Sequence, residues 1–357
     1  MPLVQFCHSA KVLTPIARSL LALPLTLGLL ASEPRAREAA QPAAFDATRL
    51  ATAAAALPQL HTLRVSHRGV LIGQYDERPT RRNRAANIKS ASKSVIAVLV
   101  GIAIARGRIA SIDTPIVTWF PELRRDADRR KRTITIGHLL SMQAGLESTS
   151  GESYGRWVNS RNWVRFALAR PMVSDPGTSM EYSTGSSHLL SAILTKATGQ
   201  STHRFAEQEL ATPLGFTLAP WPRDPQGVYF GGNEMLLTPS QMVAVGELWR
   251  NGGRVGTRQV VPAAWVAASC APRTRSRWDP TREYGYGWWV QTIGEQRACF
   301  AWGFGGQYIM IVPALDLVVT ATSSTTISDE RHGHRAALFT LLEREVLRPL
   351  TKPAWAR

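Results

Sequence analysis

The feature that most constrains the fold is where two kinds of hydrophobic pattern fall along the chain. Leu63, Val65, Val70 and Ile72 alternate around His67-Arg68-Gly69, the pattern of a hairpin. Far downstream, residues 307–312 and 317–322 flank Pro313-Ala314-Leu315-Asp316 and predict a second hairpin. Between them the period becomes helical: residues 94–105, 136–142, 187–198, 239–250 and 262–268, with a further amphipathic stretch over 336–347. Pro121, Asp175-Pro176-Gly177 and Gly252-Gly253 punctuate that middle. A half-buried strand needs a partner, so one antiparallel sheet must be assembled from about residues 50–85 and 284–350. A mostly helical region over about 90–275 is attached to it. The expectation is an α+β fold with helices flanking the sheet. No internal repeat is visible.

At 357 residues, 44% hydrophobic and 19% charged, the chain can bury a large core without metal or disulfide staples. One apolar run of about a dozen residues is too short and too solitary for a polytopic membrane protein. Neither G-x-G-x-x-G nor a P-loop appears, which removes the common dinucleotide and nucleotide readings. The net charge of +16 comes mostly from arginine, since six of the 42 basic residues are lysine. Two basic clusters, Arg78 to Arg84 and Arg124 to Arg132, lack interleaved aromatics and read as solvated surface rather than a nucleic-acid face.

Lys11 and Arg18 precede the apolar residues 19–30, followed by Ala31 and Ser32: the layout of a secretory signal over residues 1–32. Residues 33–46, rich in Ala, Pro, Glu and Arg, read as a linker ahead of a catalytic domain over 47–357. The expected location is periplasmic or secreted. An exported mature chain keeps Cys270 and Cys299, which form one disulfide or remain two buried thiols. His332-Gly333-His334 has no third ligand nearby and reads as surface, so no metal site is expected; no organic cofactor is expected either.

Three local patterns carry chemistry. Ser90-Ala91-Ser92-Lys93 leads into the apolar residues 94–100. If Ser90 opens that helix, Lys93 lies on its face, and a desolvated lysine can take a serine proton. Ser92 and Ser94 are the competing hydroxyls. Tyr182-Ser183-Thr184 follows a turn; a tyrosine beside an ammonium can be driven toward phenolate and serve as a base. Ala301-Trp302-Gly303-Phe304-Gly305-Gly306-Gln307 is a glycine-rich entry to the last hairpin, where an exposed strand N–H can complete an oxyanion hole. Each pattern alone also fits an ordinary helix cap, a core tyrosine or a turn.

Together, in this order and spacing, they resemble the serine β-lactamase and penicillin-binding superfamily. The closer similarity is to its class C-like branch, which includes esterases, D-amino-acid peptidases and 6-aminohexanoate-dimer (nylon-oligomer) hydrolases. The resemblance runs from about residue 50 to 350. It is supported by residues 134–146, by Thr238-Pro239-Ser240-Gln241-Met242, by Tyr284-Gly285-Tyr286-Gly287-Trp288-Trp289 and by Gly305-Gly306-Gln307-Tyr308. It implies a β-lactamase-like fold and a serine hydrolase acting on esters or amides of small molecules or short peptides. Ser90 would be acylated, Lys93 would share its proton and Tyr182 would act as general base. The N–H groups of Ser90 and Phe304 would form the oxyanion hole. Thr184, Trp302, Gly303, Trp288 and Tyr308 are the expected substrate-pocket residues. Two departures stand out. Thr184 occupies the place of an asparagine, and Ala301 that of a lysine or histidine which commonly binds a β-lactam carboxylate. The second departure predicts a weak penicillinase at best, since a charged hydrogen bond contributes about 1.5–3 kcal/mol. The alternatives are a D-Ala-D-Ala-type carboxypeptidase or weak β-lactamase, and a non-catalytic envelope-binding protein of the same fold.

Overall fold

A computed structural model describes residues 45–327 and 332–351. The signal-like residues 1–32 lie outside the described residues, as do residues 33–44 of the expected linker. The linker reading fails at its last two positions. Phe45 is buried against Gly73, and Asp46 caps helix α1 (Ala47–Ala55) by accepting from the N–H groups of Thr48 and Arg49.

The chain builds an eight-stranded antiparallel sheet. Its order is Val70–Asp76 (β2), Leu60–His67 (β1), Leu317–Ser323, Gln307–Val312, Gln296–Gly303, Trp289–Ile293, Glu283–Tyr284 and Thr274–Arg275. β1 therefore pairs on one side with its hairpin partner and on the other with the Leu317–Ser323 strand, placing Val65 opposite Val319. Both expected hairpins are present. The four strands Thr274–Arg275, Glu283–Tyr284, Trp289–Ile293 and Gln296–Gly303 add the rest of the sheet's width.

Strand alternation divides the interior into two cores. Ile309 and Ile311 join the core under the helical region, whereas Tyr308, Met310 and Val312 face α1 and the His334–Leu342 helix. The helix Ser92–Ala105 (α2) is buried on nearly every side, which explains its continuous apolar run and weak amphipathicity. It packs beside the Thr184–Thr198 helix. A Cβ on Gly101 would meet the Trp265 indole at 2.3 Å, so this glycine lets the Ala263–Ser269 helix approach. Cys270 and Cys299 form a disulfide with a Cα separation of 5.7 Å, tying the end of that helix to the sheet. The thiol alternative is thereby removed.

Two surface readings need correction. Lys131, inside the second basic cluster, is buried; its ammonium donates to Asp126 and to the Leu168 carbonyl. His334 is buried too, with Nε2 3.0 Å from Ser323 Oγ behind the Gly305–Gly306 turn. Among the described residues no cluster of His, Cys, Asp and Glu could hold a metal ion, and no helix is long and apolar enough to cross a membrane.

Candidate active site

Ser90 sits in a single 3-10 turn, Lys89–Ala91, that opens directly into α2. The turn is entered through a non-glycine residue in the left-handed region, Lys89 at φ 51°, a costly conformation for a side-chain-bearing residue. It is held from outside. The Asn87 carboxamide oxygen accepts the Lys89 N–H at 2.9 Å, and the Lys89 ammonium pairs with Glu234 at 3.1 Å.

The three serines of this segment separate cleanly. Ser92 Oγ donates to the Lys89 carbonyl and accepts the Met235 N–H; Ser94 Oγ donates to the Gly287 carbonyl. Both are buried. Ser90 lines an open cavity, and its Oγ lies 3.0 Å from Lys93 Nζ. One helical turn thus delivers the serine–lysine pair that the spacing suggested.

Lys93 is almost wholly buried and meets no carboxylate among the described residues. Desolvation alone pulls its pKa from 10.5 to about 7. Its ammonium also donates to the Gly232 carbonyl at 2.7 Å. That carbonyl reaches the site because two glycines press into α-helical territory. A Cβ on Gly231 would meet the Ser187 carbonyl oxygen at 2.2 Å, and one on Gly232 would meet Thr184 Cγ2 at 2.7 Å. Behind them, His188 Nδ1 accepts the Gly231 N–H, and its Nε2 faces the Asp224 carboxylate at 3.0 Å. Sequence reasoning missed Gly231, Gly232 and His188; the Gly231-Gly232 pair was their only visible trace.

Tyr182 brings its ring 5.1 Å from Lys93 Nζ and its hydroxyl into a hydrogen bond with Ser90. Ser148 Oγ donates to its carbonyl, and Thr149 and Ser150 engage Ser183 and Thr184, so residues 148–150 clamp the second motif. Burial pushes the Tyr182 hydroxyl up to about 12, with the Ser90 hydrogen bond opposing part of that rise. The resting site therefore holds a neutral phenol beside a lysine with base character near neutrality. That differs from the phenolate expected from an adjacent ammonium, because desolvation suppresses both charges.

The oxyanion candidates converge at the end of the Gln296–Gly303 strand. A Cβ on Gly303 would stand 2.1 Å from the Ile88 carbonyl oxygen, so only glycine lets this strand lie against the turn carrying Ser90. Phe304 and Ser90 consequently share the rim of two adjoining cavities. The larger, about 400 Å³, is walled by Tyr182, Trp278, Arg282, Trp289, Trp302 and Phe304. The smaller, about 270 Å³, includes Lys89, Tyr154, Asn233 and Glu234.

The structure redistributes the expected pocket. Trp302 and Phe304 line it; Trp288 does not, being fully buried and stacked on Trp249 on the other face of the sheet. Its neighbour Trp289 takes the place, stacked on Tyr182 at 5.7 Å, as a one-residue step along a strand reverses the face. Tyr308 is also buried, parallel to Trp302 at 6.4 Å, and supports that ring instead of meeting solvent. Gly303 contributes close approach rather than a wall. Thr184 shares a hydrogen bond with Ser150 at 2.9 Å and does not reach the cavity. The Gly232 carbonyl holds Lys93 where a carboxamide was expected, and a carboxamide enters from Asn233, which donates to Tyr154 Oη at 3.0 Å. Ala301 is fully buried in the core beneath the helices.

A profile of the beta-lactamase family matches residues 62–342. Esterase EstB of Burkholderia gladioli is 31% identical over 153 residues, which span 39% of this chain and 38% of that protein. A structure assigned as a 6-aminohexanoate-dimer hydrolase from Bacillus anthracis superposes with TM-score 0.66 at 18% identity, covering 82% of this chain and 81% of that one. A class C beta-lactamase from Rhodobacter sphaeroides superposes with TM-score 0.62 at 17% identity, covering 83% and 99%.

Proposed function

The chain belongs to the beta-lactamase family, and from that premise we propose that it is a serine hydrolase cleaving an ester or amide through an acyl-enzyme on Ser90. One observation carries the reading: among Ser90, Ser92 and Ser94, only Ser90 opens to the cavity, and it does so 3.0 Å from a lysine whose pKa is about 7.

Neutral Lys93 accepts the Ser90 proton while its own N–H holds the Gly232 carbonyl, so its lone pair is kept toward Ser90. Ser90 Oγ attacks the substrate carbonyl. The developing oxyanion is met by the N–H groups of Ser90 and Phe304, near the positive end of α2. Tyr182, protonated at rest, donates its proton to the departing alkoxide or amine and is reprotonated from Lys93. Water then attacks the acyl-enzyme by the reverse proton path, returning Ser90 and releasing the acid. The balance closes with one water consumed, and no metal or organic cofactor enters.

The esterase relative and the aromatic walls support ester or amide substrates. The burial of Ala301, which leaves no lysine at the head of the third motif, speaks against efficient β-lactam hydrolysis. The Cys270–Cys299 disulfide supports the export proposed from residues 1–32. The test compares wild type with Ser90→Ala on a p-nitrophenyl ester and on a chromogenic cephalosporin. Ser90-dependent ester cleavage with little cephalosporin turnover is expected. A serine-directed fluorophosphonate that fails to add to Ser90 in intact-mass spectra would overturn the reading in favour of a binding role.

A further inference from the structure

We propose that the aromatic cavity takes substrates bearing a carboxylate, and that Arg282 is the residue that reads it. The inference rests on Ser90 acting in the same cavity. Arg282 is the one charged side chain among the described residues lining that cavity. It is 8% exposed. Its Nε donates to Asp279 at 2.8 Å, and the guanidinium stands 5.8 Å from the Trp289 ring and 5.1 Å from the Trp302 ring. Its two Nη groups have no protein hydrogen-bond partner among the described residues, yet they keep some solvent-accessible surface, and the residue lines the cavity. A nearly buried guanidinium with a free fork facing an otherwise apolar chamber is built to receive a bidentate acceptor.

The local charge favours an anion. Asp279 offsets one unit, and its other oxygen is already taken by the N–H and hydroxyl of Thr281. Arg335, exposed and outside the lining, places a second guanidinium 5.5 Å from the Trp302 ring and adds positive charge near the cavity. Arg277 is neutralised by Glu181 at 2.5 Å and contributes little. A sphere of the cavity's 400 Å³ is about 9 Å across, so a carboxylate at Arg282 and a carbonyl at Ser90 can belong to one short acyl chain. This gives the site a cation at a position unrelated to the third motif, on the loop before the Glu283–Tyr284 strand.

Two measurements test it. The first needs no turnover: in Ser90→Ala protein, tryptophan fluorescence is titrated with phenylbutyrate and with phenylbutanamide. The acid should bind at least tenfold tighter than the amide. Arg282→Gln should bring that ratio to about one, Arg282→Lys should leave it intermediate, and Asp279→Asn should raise it by removing the competing carboxylate. The second compares kcat/KM for p-nitrophenyl hydrogen glutarate and p-nitrophenyl pentanoate in the same variants carrying Ser90; that ratio should move in step. Equal binding of acid and amide, or a ratio that ignores both Arg282→Gln and Asp279→Asn, overturns the proposal. Acid-selective binding without Ser90-dependent turnover would instead refute the hydrolase reading and leave Arg282 as an anion site.

Discussion

Replacing Lys93 by methionine should make the protein more stable while removing its activity, and the gain should depend on pH in a way that only this lysine explains. The group is a base whose pKa falls from 10.5 in the unfolded chain to about 7 in the fold. Between those values the unfolded state binds the extra proton, so lowering pH favours unfolding and raising it favours the fold. The penalty is fully present below pH 7 and is relieved as pH climbs toward 10.5. At pH 7 the linkage cost is about 4 kcal/mol, and at pH 9 about 2 kcal/mol, taking 1.36 kcal/mol per pKa unit. Methionine fills the same volume without a charge. It leaves the Gly232 carbonyl without its donor, at about 1–3 kcal/mol. Lys93→Met should therefore gain roughly 1–3 kcal/mol at pH 7, and the gap to wild type should narrow by about 2 kcal/mol at pH 9. Urea titrations of both proteins at several pH values, followed by tryptophan fluorescence with the disulfide intact, measure this directly. All other titrating groups are common to the pair and cancel. A difference that stays flat within about 0.5 kcal/mol between pH 7 and 9 would mean that Lys93 is not held near neutrality. The proposed resting base would then be lost.

The pH–rate profile should follow from the same pair: kcat/KM for an ester should rise with an inflection near 7 and then level, because Lys93 must be neutral and the Tyr182 phenol is held at about 12. A rate still climbing tenfold per unit at pH 9 would point to a Tyr182 phenolate as the base. Gly303→Ala should push the end of its strand off the Ile88 carbonyl and displace the Phe304 N–H, lowering kcat by about 10²–10³ with a smaller change in KM; wild-type kcat would refute the oxyanion assignment. Opening the Cys270–Cys299 bridge, which spans 29 residues, should cost about 3–4 kcal/mol in urea unfolding by loop entropy, with ester turnover retained under native conditions. Loss of turnover in the still-folded reduced protein would show that the bridge shapes the site as well.

The parts of the site legible in the sequence were those whose geometry is local. Ser90 and Lys93 are joined by one helical turn, so spacing alone places them together. The two hairpins were visible because their alternation and turn chemistry are short-range. What escaped depended on distant backbone. Nothing near Gly231-Gly232 says that its carbonyl will meet Lys93, since that contact is created by packing against the Thr184–Thr198 helix. Trp288 and Trp289 are equivalent by composition; only strand register decides which faces the cavity and which the core. Thr184 was read through the asparagine it replaces, yet its hydroxyl is claimed by Ser150. The burial of His334 needed the Ser323 strand beside it to be seen.

The pairing of β1 with the Leu317–Ser323 strand, where Thr62 and Thr322 hydroxyls meet across a sequence separation of 260, sets the order in which the proposed active site can come into being. Ser90, Lys93 and Tyr182 are all synthesised long before that strand, but Phe304 and the sheet that fixes the turn at Ile88 are not. A chain emerging N-terminus first carries the proposed nucleophile without the proposed second oxyanion donor. β1 meanwhile has only its hairpin partner and an open edge. Loop closure over such a span is slow, and the exposed edge is a site for mispairing. The proposed site is thus incomplete until the last sheet segments arrive, and refolding should be rate-limited by that long-range closure rather than by α2.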